Sequence, residues 1–203
     1  MLDEAKIPYE HRSSFPELAS VCGAFGCTEG DTFAPVVVVD GDESVSQSVA
    51  ACMFVAKKCG FTPPGGDGAE AKALQYMLDI VDLFEGGLAG SKDKGGAALK
   101  AFLEGDRFPK QAGNVERAIA GPFFFGDAPS SVDFFLCAQV DWHEAVLLER
   151  LAKDKGVADP LAPYAKLRGV VEGIRGLASY RASGLATTRD DFKVKDEVIA
   201  AYL

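Results

Sequence analysis

The stretch Phe61-Thr62-Pro63-Pro64-Gly65-Gly66-Asp67-Gly68 constrains this chain more than any other. Proline lacks a backbone donor and glycine has no side chain to restrain the backbone, so no helix or strand runs through it. The residues before it carry strand and turn signals. Those after it carry a helical period throughout. The reading is therefore a first domain over residues 1–62, a linker over 63–68, an all-helical domain over 69–187 and a charged tail over 188–203. A chain of 203 residues with 48% hydrophobic content can bury a proper core on this plan.

Before the break, Ala34-Pro35 leads into Val36-Val37-Val38-Val39-Asp40-Gly41. Four β-branched residues in a row predict a buried strand. Asp40-Gly41 predicts a hairpin connection, with Val45 in the return strand. Ser46-Gln47-Ser48 then meets an apolar helical run: Val49, Met53, Phe54 and Ala56, with Lys57 and Lys58 near its end and Gly60 closing it. A helix start offers free N–H groups and partial positive charge, so it can hold a carboxylate. The simpler alternative is that Ser46 or Ser48 only caps the helix. Residues 1–6 read as helical turns and Ile7–Arg12 as a strand entered through Pro8. Residues 13–33 read as irregular. Cys22 and Cys27 are either replacement nucleophiles or small structural residues. The second reading is preferred, because no histidine or lysine stands near in sequence to lower a thiol pKa. Cys52 and Cys59, seven apart, read as core.

After the break, Leu74, Met77, Leu78, Val81, Phe84 and Leu88 form an apolar stripe on a helix over 69–88. Further helices are predicted over 97–104, 109–119, 131–150 and 160–183. Before the third of these stands Gly121-Pro122-Phe123-Phe124-Phe125-Gly126-Asp127-Ala128-Pro129-Ser130-Ser131-Val132-Asp133-Phe134. Ser130 is expected to cap the helix, with Asp133 reaching back to the cap residue's N–H. His143, beside Asp141 and Glu144, could suggest catalysis. No nucleophile motif such as GxSxG accompanies it, so a structural role is preferred.

Several function classes are disfavoured. The net charge is −9 and no long basic run exists, so nucleic acid is not expected as a partner. No apolar run approaches the roughly 20 residues of a membrane span. The first residues do not read as a signal peptide. Five cysteines without a CxxC pair argue against a disulfide framework, and two histidines outside any metal-binding pattern argue against a metal site. A cytoplasmic protein is expected.

Two motifs, Ala34-Pro35 with Gln47-Ser48 and the segment Gly121–Phe134, resemble the glutathione S-transferase family, nearest its sigma-like group. The resemblance covers residues 1 to 185. It implies an α/β thioredoxin-like N-terminal domain followed by an all-α C-terminal helical bundle. It further implies a cis Pro35, with the Ala34 backbone pairing with the cysteinyl part of glutathione and Gln47 and Ser48 holding the γ-glutamyl end. In the sigma-like group an aspartate just before the phenylalanine reaches glutathione's amino group across a dimer. Leu83 occupies that position here and Asp82 stands one step earlier. Asp82 is thus a glutathione-binding candidate, and a solvated acidic face is the alternative reading.

In that family a first strand and most of a first helix precede the segment resembled by Ile7-Pro8-Tyr9-Glu10, and that strand carries the residue that activates the thiol. The sequence here starts after this point, so no catalytic residue is assigned. The first domain is expected to be incomplete, lacking its first strand. A longer parent protein, a strand from a partner chain, and a direct pairing of the remaining strands all stay open. The tail segment Asp191–Leu203 could in principle supply a strand and a helix. The implied function is conjugation of glutathione, as co-substrate, to a small hydrophobic electrophile by a homodimer. The alternatives are a non-catalytic scaffold or assembly subunit and, less favoured, a glutathione-dependent isomerase or peroxidase.

Overall fold

A computed structural model describes residues 1–12, 14–30, 32–89, 101–143 and 160–183. It divides into two compact units, Met1–Thr62 and Pro63–Leu203.

The first unit holds a short helix α1 (Phe15–Ala19), a 3-10 turn (Gly23–Phe25), strands β1 (Val37–Asp40) and β2 (Glu43–Ser46), and helix α2 (Ser48–Cys59). The strands pair antiparallel, with Val37 opposite Ser46, Val38 opposite Val45 and Asp40 opposite Glu43. Helix α2 packs on both strands. The hairpin turn is Gly41-Asp42, one residue later than the sequence suggested, because Asp40 extends β1 and Gly41 takes the left-handed φ of 61°. Gly60, at φ 76°, closes α2 as expected.

Three expectations for this unit need correction. The valine run is only half covered: Val36 and Val39 are 54% and 60% exposed. The described sheet has only two strands, so Val37 and Val38 are half-buried and no residue of β1 is fully buried. Ile7–Arg12 forms no strand, because among the described residues no strand lies alongside to take up its backbone groups. The cis peptide bond is Pro35–Val36, one residue beyond the Ala34–Pro35 bond that the resemblance implied.

The second unit begins with α3 (Asp67–Val81), which runs on as a π-helix over Asp82–Ala89. Then follow a helical stretch at 101–104, α4 (Arg107–Ala118), α5 (Ser131–His143), α6 (Ala165–Arg175) and α7 (Ala178–Ala182). The buried face of α3 is Ala73, Met77 and Ile80, continued by Leu83 and Phe84. The expected stripe is therefore rotated: Leu74 and Leu78 point outward, 39% and 49% exposed. In the π stretch Gly87 is needed for close approach, since a Cβ there would lie 2.2 Å from the Phe102 ring.

Helix α5 packs against α3 and α6, and α4 touches α3 and α6 as well. The expected cap is present at the start of α5. Asp133 accepts hydrogen bonds from the Ser130 N–H and hydroxyl, both at 2.7 Å, and from the Phe124 N–H at 2.8 Å. Burial pushes the Asp133 carboxyl above the usual range, and these hydrogen bonds pull it back down. Helices α4 and α6 cap one another. The Glu116 carboxylate accepts the Lys166 and Leu167 N–H groups at 3.0 and 2.7 Å, while the Lys166 ammonium donates to the Ile119 carbonyl at 2.9 Å. The expected long helix over 160–183 is two helices, broken at Gly176-Leu177, where Leu177 adopts extended backbone. The predicted start at residue 97, the second half of the helix drawn to 150 and the tail lie outside the described residues.

Candidate functional site

The β1–β2 ladder ends with Val37 opposite Ser46, so Ala34-Pro35 leads into, and Gln47-Ser48 leads out of, the same end of the hairpin. Upstream, the Gly23 N–H donates to the Thr32 carbonyl at 2.9 Å and the Ala24 N–H to the Phe33 carbonyl at 2.8 Å. These bonds fasten the chain on the approach to Ala34. The Thr32 hydroxyl, buried, donates to the Val21 carbonyl.

Ala34 is half-buried, and its N–H and C=O have no hydrogen-bond partner among the described residues. A backbone donor and acceptor left open side by side can pair with an extended peptide in the manner of an added strand. Pro35 is exposed beside it. At the helix start, the first intrahelical bond runs from the Ala51 N–H to the Gln47 carbonyl at 2.8 Å. The N–H groups of Ser48, Val49 and Ala50 have no hydrogen-bond partner among the described residues, and the Gln47 side chain makes no cap hydrogen bond. The start of a twelve-residue helix has the partial positive charge and free N–H groups that favour an anion.

Gln47 has φ 74° and ψ 134°, a conformation that residues with a Cβ rarely adopt. Such a residue typically costs about 1–3 kcal/mol and persists where its surroundings hold it. The sequence offers no sign of this, because glutamine carries no special preference for positive φ. Phe33, 69% exposed next to Ala34, is a further flanking residue that the sequence reading does not single out.

Asp82 belongs to the second unit. It ends α3 and begins the π stretch, its side chain is exposed, and its carbonyl accepts a hydrogen bond from the Gln111 amide at 3.5 Å.

The cysteines are not primed for chemistry where a shift is resolved. Burial pushes the Cys52 thiol up to about 12 and raises Cys59 too, and both are half-buried rather than core. Burial and the neighbouring Asp141 carboxylate raise the Cys137 thiol. Cys22 is fully buried and Cys27 half-buried.

His143 is a packed residue. It is 2% exposed, its Nδ1 lies 2.7 Å from the Gln139 carbonyl, and its ring stands 5.1 Å from the Phe84 ring. Burial lowers its pKa. Asp141 is occupied elsewhere: it accepts from Arg175 Nη2 at 2.6 Å and Nε at 3.0 Å, and from the Tyr180 hydroxyl at 2.6 Å, tying α5 to α6 and α7. Among the described residues no group of three or more His, Cys, Asp and Glu is placed to hold a metal ion, and no helix is long and apolar enough to cross a membrane.

No protein-family model matches the chain, and comparison with curated proteins finds no match. Solved structures do match. A Pi-class glutathione S-transferase of Onchocerca volvulus superposes with a TM-score of 0.67 at 15% identity, over 95% of this chain and 86% of that one. A maleylacetoacetate isomerase of Anaeromyxobacter dehalogenans, with glutathione in its active site, gives 0.53 at 21% identity, over 89% and 85%. A trimeric glutathione transferase of Leishmania gives 0.57 at 22% identity over 78% of this chain, which spans only 34% of that protein's length. The chain thus has the glutathione transferase fold, with a thioredoxin-like first part and a helical second part.

Proposed function

We propose that the first unit is a glutathione-binding domain of a glutathione transferase-like protein, with residues 69–187 as its helical domain. The open Ala34 N–H and C=O would pair with the cysteinyl residue of glutathione. The α2 N-terminus, with Ser48 and Gln47, would hold the γ-glutamyl carboxylate. Burial raises the Cys52, Cys59 and Cys137 thiols, which disfavours them as nucleophiles. The reactive sulfur is that of glutathione, and the protein holds it at a set distance and angle for attack on a small hydrophobic electrophile.

The observation that carries this reading is the backbone of Gln47, held at φ 74° directly before an uncapped helix. Strain of this kind gathers where a ligand must be met at a fixed angle. A plain helix cap needs no such conformation. The solved structures of the same fold include one with glutathione bound.

The test is isothermal calorimetry with glutathione on the wild type and on Ser48→Ala, followed by conjugation of a generic aryl halide. The expectation is measurable binding, weakened about three- to tenfold by Ser48→Ala, since one hydrogen bond to a charged group is lost. Turnover of the aryl halide would establish the transferase. Binding without turnover would leave a glutathione-binding module. No binding by a folded protein would sink the site.

A further inference from the structure

Residues 22–27 close a tight turn with a cysteine at each end. The Cys27 N–H donates to the Cys22 carbonyl at 3.2 Å, and inside that bond the Gly26 N–H donates to the Gly23 carbonyl at 3.1 Å. Gly26 is left-handed, at φ 113°. This nested pair is a Schellman arrangement, in which the side chains of the first and sixth residues commonly meet. Those two residues are Cys22 and Cys27. Bond lengths across the 3.2 Å hydrogen bond place their Cα atoms no more than about 7 Å apart, and the bent path of a turn brings them within the span of a disulfide.

The position of the Cys27 sulfur agrees. A Cβ built on Gly30 would lie 3.5 Å from the Cys27 Sγ and 3.5 Å from the Val21 carbonyl oxygen, so the sulfur sits beside the segment that carries Cys22. Both thiols are free, Cys27 half-buried and Cys22 fully buried. The two cysteines of α2 are placed differently: Cys52 and Cys59 stand roughly 10 Å apart along the helix, beyond bridging. The turn also carries the two bonds that fasten the approach to Ala34, from the Gly23 N–H to the Thr32 carbonyl and from the Ala24 N–H to the Phe33 carbonyl.

We propose that Cys22 and Cys27 are a reversible dithiol–disulfide pair, oxidised by a small disulfide such as glutathione disulfide, and that closing it fixes the turn that holds the approach to Ala34. Cys27 reacts first, because it is the thiol of the pair that solvent reaches. Its thiolate attacks one sulfur of the small disulfide, that S–S bond breaks, and one small thiol leaves. The Cys22 thiolate then attacks the Cys27 sulfur of the mixed disulfide and expels the second small thiol. The two cysteines lose two electrons and two protons, and the small disulfide is reduced to two thiols. The cross-link removes the open conformations of the turn. Neither step uses the start of α2, so the pair stands whether or not glutathione binds there.

The experiment incubates the full chain with glutathione disulfide, quenches it with acid and maps the unreduced peptides by mass spectrometry. The expected product has one bond, between Cys22 and Cys27, with free thiols falling from five to three and restored by dithiothreitol. Cys22→Ala should instead retain a glutathionyl group on Cys27, and Cys27→Ser should leave Cys22 unmodified. A glutathionyl group that stays on wild-type Cys27, a bond to any other cysteine, a bond between two chains, or five thiols left free overturns the pair. If Cys22→Ala does not fold, the wild-type map decides alone. Hydrogen exchange at the Gly23 and Ala24 amides should slow about tenfold in the oxidised protein. Exchange unchanged in a protein that carries the bond overturns its hold on the approach to Ala34.

Discussion

In Pro63–Leu203 the described core includes Met77, Ile80, Leu83, Phe84, Phe124, Leu136, Leu161 and Leu167, all fully buried. In Met1–Thr62 the buried apolar residues are Cys22, Ala51 and Ala56, while Tyr9, Phe15, Phe33, Val36 and Val39 are all more than half exposed. Burying a large apolar side chain is worth about 1.5–3 kcal/mol, and a small one much less. The helical unit is therefore held by its core. The strand-bearing unit is held by a hairpin, one helix and a few loop hydrogen bonds, and it is the unit that carries the open groups. Sites that must meet a ligand are drawn from regions of low local stability, and a core as dense as the helical unit's would leave few backbone groups open.

Perturbing the two units separately tests this contrast. The largest effect is expected at the α5 cap. Asp133→Ala leaves two N–H groups and a hydroxyl without their acceptor, and should lower stability by about 3–5 kcal/mol in urea titration followed by circular dichroism. A loss under about 1 kcal/mol would mean that the cap does not organise the helical unit.

Next come paired truncations. Met77→Ala in the helical core should cost about 2–5 kcal/mol, and Val39→Ala on β1 less than about 1 kcal/mol. Equal losses would erase the difference between the units.

A smaller and opposite effect is expected at Gln47. Gln47→Gly removes the steric strain of φ 74° at the cost of glycine's greater chain entropy, for a net gain of about 1 kcal/mol, while Gln47→Ala retains the strain. Hydrogen exchange at β1, β2 and the start of α2 should slow in Gln47→Gly and not in Gln47→Ala. Glutathione binding should weaken in Gln47→Gly.

The smallest effect concerns acid. His143 is buried and its pKa is lowered, so the unfolded chain binds a proton there before the native state does. Stability is unaffected above the unfolded value of about 6.5 and falls as pH drops below it, until the native pKa is passed. His143→Gln should flatten the dependence of the denaturation midpoint on pH between about 7 and 5. A slope unchanged from wild type would place the acid sensitivity elsewhere, Asp133 excluded: its raised pKa favours protonation in the native state and acts in the other direction.

Much of this was legible in residue order because the causes are local. Two prolines and two glycines over Pro63–Gly66 stand before α3, which starts at Asp67, inside the stretch read as a linker and two residues before the expected helix. Ser130 and Asp133, three apart, form a cap that depends only on the first turn of a helix. Gly60 ends α2 by its own conformation. The extent of the two helical breaks, at the π stretch and at Gly176-Leu177, was not legible, because an apolar period continues across both.

What tertiary structure alone decided is which faces are covered and which backbone groups stay open. Four valines in a row signal a strand, but whether that strand is buried depends on a neighbour supplied from elsewhere, and Val36 and Val39 remain exposed. The α3 stripe reads equally well through Leu74 and Leu78 or through Ala73 and Ile80, and packing against α5 selects the second. Gln47-Ser48 could be named from sequence. The positive φ of Gln47, and its position just past the Val37–Ser46 end of the β1–β2 ladder, are features of the folded chain that no local preference encodes.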